Sequence, residues 1–289
     1  LLDGGHVSRS PARTLRCLSD LLVIQDVLER ADRPIPEFLQ KWIGRAGAMV
    51  AFFRVGNSAL VPFQDGDERL DIEVEAVLER LDGPPRQFSV VPKSGYQKLS
   101  KAGTVVYLDC GSGPERPYGD KAHSGALSFE LVDGAARLVT SCANSPETDL
   151  DWRAAVRRTS AHSTLVLDNE DSASFLRNED SALLYPDGPD AISAKRLEEA
   201  DETWLDAQHS GYKAKFGLLH RRRLFMTGDG RKLTGEVSLS RPVSAGISED
   251  ETPIAFDIRF HLHPTVSAMT AGDSIVLTSE SGVVWRFNT

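Results

Sequence analysis

The most constraining feature of this sequence is a change in the spacing of its apolar residues at Asp82-Gly83-Pro84-Pro85. Before this point apolar residues recur every three or four positions, and after it they alternate with polar ones. An α-helix repeats every 3.6 residues and a β-strand every two, so the pattern predicts helices first and strands afterwards. Glycine and proline at the change itself indicate a break between the two parts.

Three helical patterns precede the break. The first covers residues 11–31, begins at Ser10-Pro11, and places Leu15, Leu18 and Leu22 on one face. The second covers residues 36–53 and the third residues 69–81. We therefore predict three antiparallel helices and assign residues 1–85 to a helical unit.

Many short strand patterns follow, separated by turn sequences such as Asp133-Gly134 and Asp187-Gly188. The candidate strands are residues 104–109, 126–132, 136–142, 163–168, 203–209, 218–226, 232–238, 254–263, 274–278 and 283–288. Because no long helices lie between them, they predict an antiparallel β-sandwich over residues 86–289. The expected fold class is thus mainly β with an N-terminal helical segment.

Composition excludes some functions. A net charge of −9 argues against a dedicated nucleic-acid-binding protein. No stretch is long and apolar enough to predict a membrane span. The chain begins at Leu1, in a run that reads like the interior of a folded segment, so we expect it to belong to a longer protein whose N-terminus is missing here.

Histidines offer the first candidate site. His123 and His162 each stand at the entrance of a predicted strand, where they could meet at one end of the sandwich or be two unrelated capping residues. His261 and His263 share one face of a predicted strand, which fits either a metal site or structural hydrogen bonds. The residues alone leave these alternatives open.

Basic residues offer the second candidate site. Arg157 and Arg158 are adjacent, and Arg221 and Arg223 share one face of a predicted strand. Guanidinium groups bind carboxylate or sulfate through paired hydrogen bonds, so these residues are candidates for holding an acidic ligand. The alternative is that they are solvated or paired with the abundant Asp and Glu residues.

Several short motifs follow one another in an order that covers nearly the whole chain. They are Asp3-Gly4-Gly5-His6-Val7-Ser8-Arg9-Ser10-Pro11, His123-Ser124-Gly125-Ala126-Leu127-Ser128-Phe129-Glu130-Leu131, Ala161-His162-Ser163-Thr164-Leu165, His209-Ser210-Gly211-Tyr212, His220-Arg221-Arg222-Arg223 and Trp285-Arg286-Phe287. Together they resemble the C-terminal half of the heparinase II/III family. The resemblance implies the last helices of an (α/α) toroid followed by a large antiparallel β-sandwich.

The resemblance also implies an activity. Family members are polysaccharide lyases that cleave uronic-acid glycans by β-elimination. One group neutralises the uronate carboxylate, a base removes the C5 proton and an acid, typically Tyr, protonates the departing oxygen. By resemblance, the catalytic candidates are His6, Arg9, Lys121 and His123.

Two departures from the family pattern bear on turnover. The Tyr-His pair that follows Ser-Pro in the family is Arg13-Thr14 here, and the family's His-x-His-x-Asp reads Lys121-Ala122-His123-Ser124-Gly125. The acid position therefore holds Arg13 and the base position holds Lys121. We expect this chain alone to have no lyase activity, although Tyr96, Tyr118 or Tyr212 could replace the acid.

Binding candidates follow from the resemblance and the basic groups together. For an acidic polysaccharide they are Arg157, Arg158, His209, Tyr212, Arg221 and Arg223. Some family members hold a structural zinc, and His123 and His162 match two of its ligands. The third ligand, an Asp, corresponds to Thr140 or Ser141, so zinc is expected to bind weakly if at all.

Three functions remain as hypotheses. The first is a divergent polysaccharide lyase acting on acidic glycans in the bacterial periplasm or cell envelope. The second is a non-catalytic protein that binds glycans in the same groove. The third is a sandwich that serves only as a support or assembly surface.

Overall fold

The structure is a computed structural model and describes residues 1–56, 59–66, 71–142, 149–177, 184–189, 191–242 and 253–289. Its helices are α1 (Pro11–Arg30), α2 (Glu37–Phe53), α3 (Asp71–Leu78), α4 (Leu150–Ala155) and α5 (Lys213–Phe216). Ser10 caps α1, because its hydroxyl accepts a hydrogen bond from the backbone N–H of Arg13 at 3.3 Å. Pro11 occupies the first turn, where no hydrogen-bond donor is lost.

The strands are short and occupy most of the chain after α3. They are β1 (Arg54–Val55), β2 (Ala59–Leu60), β3 (Val90–Val91), β4 (Tyr96–Lys101), β5 (Thr104–Asp109), β6 (Phe129–Asp133), β7 (Ala136–Thr140), β8 (Leu165–Leu167), β9 (Ser174–Arg177), β10 (Leu184–Asp187), β11 (Ile192–Glu199), β12 (Glu202–His209), β13 (Leu219–Met226), β14 (Leu233–Ser240), β15 (Phe256–Ile258), β16 (His261–Leu262), β17 (Val266–Ala271), β18 (Ser274–Ser279) and β19 (Val284–Asn288).

Three larger antiparallel sheets contain most of these strands. The first sheet has six strands in the order β16-β7-β6-β5-β4-β3. The second sheet has four strands in the order β11-β12-β13-β14, and the third has three, β17-β18-β19. Pairs β1-β2, β9-β10 and β8-β15 complete the described strand pairing.

The first sheet lies between the helices and the second sheet. Its alternating side chains explain this, because neighbours along a strand point to opposite faces. Tyr107 packs with the helices, its ring centroid 5.8 Å from that of Phe52. Val106, on the opposite face, shares a buried cluster with Leu205 and Leu224 of the second sheet. Among the described elements, the helices, the first sheet and the second sheet therefore follow one another as layers.

The predicted fold class is confirmed, since the chain is mainly antiparallel β behind N-terminal helices. The division into a helical unit, residues 1–85, and a sandwich, residues 86–289, stays a prediction. Helices and first sheet share one buried cluster, so packing by itself draws no boundary between them.

Candidate functional site

A charged cluster lies where the start of α1 meets the loops of the sandwich. Arg13 donates from one guanidinium nitrogen to both carboxylate oxygens of Asp120, at 3.1 and 3.3 Å. The ammonium of Lys121 lies 3.3 Å from the carboxylate of Asp65. Two consecutive residues, 120 and 121, thus tie the loop before β6 to two different segments.

More cations surround these pairs. Burial, followed by the charge of Arg153, lowers the pKa of Arg157 to about 10, and the charges of Asp120 and Asp65 oppose that change. Burial raises the pKa of Asp65, against the effect of Lys121. The cluster, defined as Arg13, Asp65, Asp120, Lys121, Arg153 and Arg157, holds four cations and two carboxylates. This excess of positive charge would attract an anion.

His6 borders the charged cluster. The contacts described for its ring include no ion pair with a carboxylate. Its Nδ1 accepts a hydrogen bond from the backbone N–H of Ser8 at 3.1 Å and lies 2.8 Å from the Ser8 hydroxyl. Burial, then the charge of Arg13, lowers the pKa of His6. The Tyr118 ring stands edge to face with the imidazole, with ring centroids 6.4 Å apart, and the residue is exposed.

Arg9 is buried and fully engaged. Its guanidinium donates to the backbone carbonyls of Ser94, at 2.9 Å, and Ser112, at 3.0 Å, and pairs with the carboxylate of Asp109. The Arg9 carbonyl in turn accepts a hydrogen bond from the hydroxyl of Tyr96 at 2.9 Å. These contacts join the start of α1 to the first sheet. A catalytic role for Arg9 stays a prediction.

The structure brings His123 and His162 together, with ring centroids 5.1 Å apart. Both rings are buried; burial lowers the pKa of His162 to about 3 and, with the charge of His162, that of His123 well below its usual value. Nδ1 of His123, both ring nitrogens of His162 and the hydroxyl of Ser128 have no hydrogen-bond partner among the described residues.

The histidine pair supplies two ligands for a zinc ion. In the described ranges, no group of three or more His, Cys, Asp or Glu side chains could hold a metal. A Cβ added at Gly125 would lie 3.1 Å from Cγ of His162 and 3.2 Å from the Ser128 hydroxyl, so a larger residue there would crowd the ring. Structural zinc takes four ligands, and two imidazoles leave it half coordinated.

Arg157 of the charged cluster also lines a cavity of about 370 Å³, together with Arg158, Asp171 and Phe175. Arg157 donates from Nε to the carbonyl of Ala122 at 2.8 Å, and its guanidinium carbon lies 5.3 Å from the ring centre of Phe175. Arg158 pairs with Asp171. The wall of this cavity carries two guanidinium groups and two carboxylates, the latter from Glu170 and Asp171.

The other predicted binding residues are distributed differently. Arg221 and Arg223 lie on the outer face of the second sheet and both pair with Asp206. His209 and Tyr212 are buried inside the sandwich, where the Tyr212 hydroxyl donates to the carbonyl of Leu165 at 2.8 Å. Their burial keeps these two side chains away from a ligand at the surface. No single site contains all of the predicted residues.

His261 and His263 are engaged separately. Nε2 of His261 lies 2.9 Å from the carbonyl of Ser160, and Nδ1 of His263 lies 2.7 Å from the hydroxyl of Thr265. Structural hydrogen bonds therefore account for both rings. A larger cavity of about 1340 Å³ is lined mainly by apolar side chains, such as Phe129 and Trp285, and contains none of the predicted site residues.

Sequence reasoning missed the carboxylates that pair with the candidate residues. Asp65 and Asp120 carry no motif, and the partners in the Arg13–Asp120 pair are 107 residues apart. The one sequence feature that could have indicated Asp120 is its position next to Lys121, a predicted site residue.

N-terminal helices packed against a layered antiparallel β-sandwich are the class of fold that the described residues form. The chain belongs to the family described as "Heparinase II/III-like, C-terminal", which matches residues 83–289. Within the described ranges, none of the helices has the length and apolar character that crossing a membrane requires.

Known relatives of two kinds are similar to this chain. FtsZ-localized protein C of Caulobacter vibrioides is 35% identical over 291 residues, covering 98% of this chain and 50% of its own length. The heparan sulfate lyase HepC of Pedobacter heparinus superposes with a TM-score of 0.68 at 14% identity, over 98% of this chain and 44% of its own. A crystal structure of heparinase III superposes with a TM-score of 0.64 at 16% identity, over 96% of this chain and 46% of its own length. The chain therefore spans about half the length of these relatives, and the structural likeness concerns the fold.

Proposed function

We propose that this protein is a heparinase II/III-like protein without β-elimination activity, which acts as a binding protein and associates with FtsZ. The observation that carries the proposal is the pair of ion pairs at the charged cluster. Arg13 and Lys121, at the positions that the family resemblance gives to acid and base, each contact a carboxylate, Asp120 and Asp65 respectively.

The chemistry of β-elimination explains why these contacts matter. The acid must give a proton to the departing oxygen, and a guanidinium does not release its proton in proteins. The base must reach the C5 proton of the sugar, whereas the amine of Lys121 lies 3.3 Å from the carboxylate of Asp65. Arg13 and Lys121 therefore hold loops together at a place where a lyase needs proton transfer.

The association with FtsZ is supported by the identity level of the relatives. The relative at 35% identity over 98% of this chain is named for its localisation with FtsZ, whereas the lyases share only 13–16%. Relatives at higher sequence identity share a function more often, so association with FtsZ has stronger support than lyase activity.

Binding of an acidic polysaccharide is a second candidate, favoured by a specific observation. The charged cluster has an excess of cations, and Arg157 and Arg158 line the neighbouring 370 Å³ cavity beside Glu170 and Asp171. Such a protein would act in the bacterial periplasm or cell envelope. The two candidates thus differ in partner and in location.

One assay tests the absence of turnover. The protein expressed from its complete gene is incubated with a panel of uronic-acid polysaccharides, and the absorbance of unsaturated uronates is followed, with a known heparinase as positive control. We expect no product. Steady formation of unsaturated product that is lost on Lys121→Ala would overturn the proposal.

A second experiment separates the two binding roles. The complete protein, fused to a fluorescent protein, is imaged in cells that also carry labelled FtsZ, and purified protein is tested for co-sedimentation with FtsZ and for retention on a heparin column. Co-localisation and co-sedimentation support the first role. Salt-sensitive retention that is weakened by Arg158→Ala, without co-localisation, would favour the glycan.

A further inference from the structure

The outer face of the second sheet carries side chains in ordered rows. Cross-strand partners place Leu197, Trp204, Phe225 and Thr234 in one row across β11, β12, β13 and β14. The neighbouring row on the same face is Lys195, Asp206, Arg223 and Glu236. We call these the apolar row and the charged row. The face is directed away from the helices, because the first sheet lies between them and the second sheet.

The apolar row exposes large side chains to water. Leu197 is 58% exposed and Trp204 is 44% exposed, and the Trp204 and Phe225 rings are in contact, with centroids 4.3 Å apart and planes inclined by 36°. Single exposed apolar residues are common, but a contiguous row on a flat sheet is typical of an interaction surface. Tryptophan is also the residue most enriched at the energetic centres of interfaces.

The charged row alternates in sign from one edge of the sheet to the other. Its order is positive, negative, positive, negative, from Lys195 to Glu236. Within the chain Asp206 contacts Arg221 and Arg223, and Arg223 contacts Glu236 at 3.3 Å. If two copies of this row face each other with opposite strand order, every charge lies opposite a charge of the other sign. If the two copies have the same strand order, every charge lies opposite a charge of the same sign.

We propose that this face binds a second copy of the same chain around a two-fold axis parallel to the strands. Such an axis reverses the strand order while each row stays opposite itself. Asp206 then faces the partner's Arg223, Lys195 faces the partner's Glu236, and Trp204 faces the partner's Phe225. Because packed sheets are rotated by about 30°, the central pairs next to the axis overlap best.

The size of the face sets the expected strength. Four strands about 4.8 Å apart and eight residues long at about 3.3 Å each give a face of roughly 500 Å². Stable complexes bury about 800 Å² per partner, so this dimer should be weak and reversible. Its charged row should make it sensitive to salt. The dimer goes beyond the proposed function, and either can fail without the other.

Sedimentation velocity of the protein from its complete gene, over about 1 to 100 µM, tests the dimer. We expect a concentration-dependent monomer–dimer equilibrium that shifts to monomer at high salt. Trp204→Ala should weaken it at least about tenfold, the effect typical of a central interface tryptophan. The matched control is Trp152→Ala, which removes an exposed tryptophan on α4 and should leave the equilibrium unchanged.

Two charge variants make the test specific to the arrangement. Asp206→Lys with Glu236→Lys gives an all-positive row, and Lys195→Glu with Arg223→Glu an all-negative one. Each should be monomeric alone, and their mixture should form a heterodimer. Circular dichroism checks that each charge variant is folded. If one of them does not fold, the single variant Trp204→Ala still tests the interface.

Three results would overturn the proposal. The wild-type protein could stay monomeric at every concentration, or its dimer could persist in the charge variants, which would place the interface elsewhere. A monomer whose fluorescence responds to FtsZ or to an oligosaccharide, with the response lost in Trp204→Phe, would assign the face to that partner instead.

Discussion

His209 Nε2 and His220 Nδ1 lie 2.8 Å apart inside the sandwich, on neighbouring strands β12 and β13. The backbone N–H of Gly211 donates to Nδ1 of His209 at 3.0 Å, so that nitrogen carries no proton. His209 must then donate from Nε2, and His220 accepts at Nδ1. Both rings are neutral in this arrangement, each with its proton on Nε2.

This relationship predicts a loss of stability in mild acid. Burial, followed by the charge of Arg222, lowers the pKa of His209 to about 3, against 6.5 for an ordinary histidine. Below pH 6.5 this histidine binds a proton in the unfolded chain but stays neutral in the folded chain. Its contribution to the free energy of unfolding is therefore complete above pH 6.5 and is lost as the pH falls towards 3. At pH 5 the loss is about 2 kcal/mol for this histidine.

Urea unfolding at pH 7.5 and pH 5, followed by circular dichroism, measures this loss. His123 and His162 are also buried with lowered pKa values, so His209→Gln should reduce the pH dependence without abolishing it. Equal unfolding free energies at the two pH values would contradict the neutral assignment. Nitrogen-15 chemical shifts of the two rings give an independent test of the tautomers.

Asp109 provides the second prediction. It receives hydrogen bonds from Arg9, from the side-chain amide of Gln64 at 3.0 Å and from the backbone of Gly111 at 3.1 Å. Asp109→Ala would leave the buried guanidinium of Arg9 without its carboxylate, and breaking such a pair from one side costs about 3–5 kcal/mol. The free energy of unfolding in urea is the measurement.

Asp120→Ala is the matched control for this change. It breaks the Arg13 pair, in which both side chains are about one quarter exposed, and exposed pairs contribute about 1 kcal/mol or less. A similar cost for the two variants would contradict the structural role given to Arg9.

Arg222 provides the third prediction. It is buried on the inner face of β13 and donates to the backbone carbonyls of Leu127, at 2.6 Å, and Ser163, at 2.8 Å. Burial lowers its pKa to about 10. Arg222→Met would leave both carbonyls without this donor, at a cost of roughly 2–5 kcal/mol.

The neighbouring residue supplies the control. Arg221 points to the outer face, so Arg221→Met should leave the unfolding free energy close to that of the wild type. Thermal unfolding of the two variants, compared with wild type, measures the difference. A larger effect of Arg221→Met would contradict the strand orientation.

Residues 104–109 show what local pattern predicts well, since β5 occupies the predicted positions. The predicted strand 254–263 is instead divided into β15, which pairs with β8, and β16, which pairs with β7. The sequence did not predict β11, whose residues Ile192–Glu199 are rich in charge and lie at a sheet edge. The alternation of apolar and polar residues indicates which face of a strand is buried, but it does not indicate which strand is the pairing partner. An exposed edge strand rich in charged residues lacks this alternation.

The candidate site was predictable to a similar extent. Alternation correctly put Arg221 and Arg223 on one face of β13. It gave no warning that Arg222 faces the core, because charged side chains are rarely buried without a partner. The meeting of His123 and His162 was predicted from their places at strand entrances together with the family resemblance. The ion pairs of Arg13 and Lys121 depend on tertiary structure that no local pattern encodes.

The last prediction concerns zinc at His123 and His162. Their ring centroids are 5.1 Å apart, and the lowered pKa of each ring keeps it neutral at pH 7, so protons do not compete with a metal. Any weakness of binding must then come from the ligand number. Two imidazoles supply half of a tetrahedral zinc site, and the described residues around them offer no third ligand of the usual kinds.

We therefore expect the unfolding temperature at pH 7.5 to be the same with about 10 µM zinc chloride as with a chelator. A ligand that binds only the folded state at 100 times its Kd adds about 2.7 kcal/mol, which a melting curve detects readily. The control is His162→Ala, which removes one of the two imidazoles. An increase in unfolding temperature that requires zinc and disappears in His162→Ala would show that a further ligand completes the site, and would restore the zinc centre that the family resemblance implied.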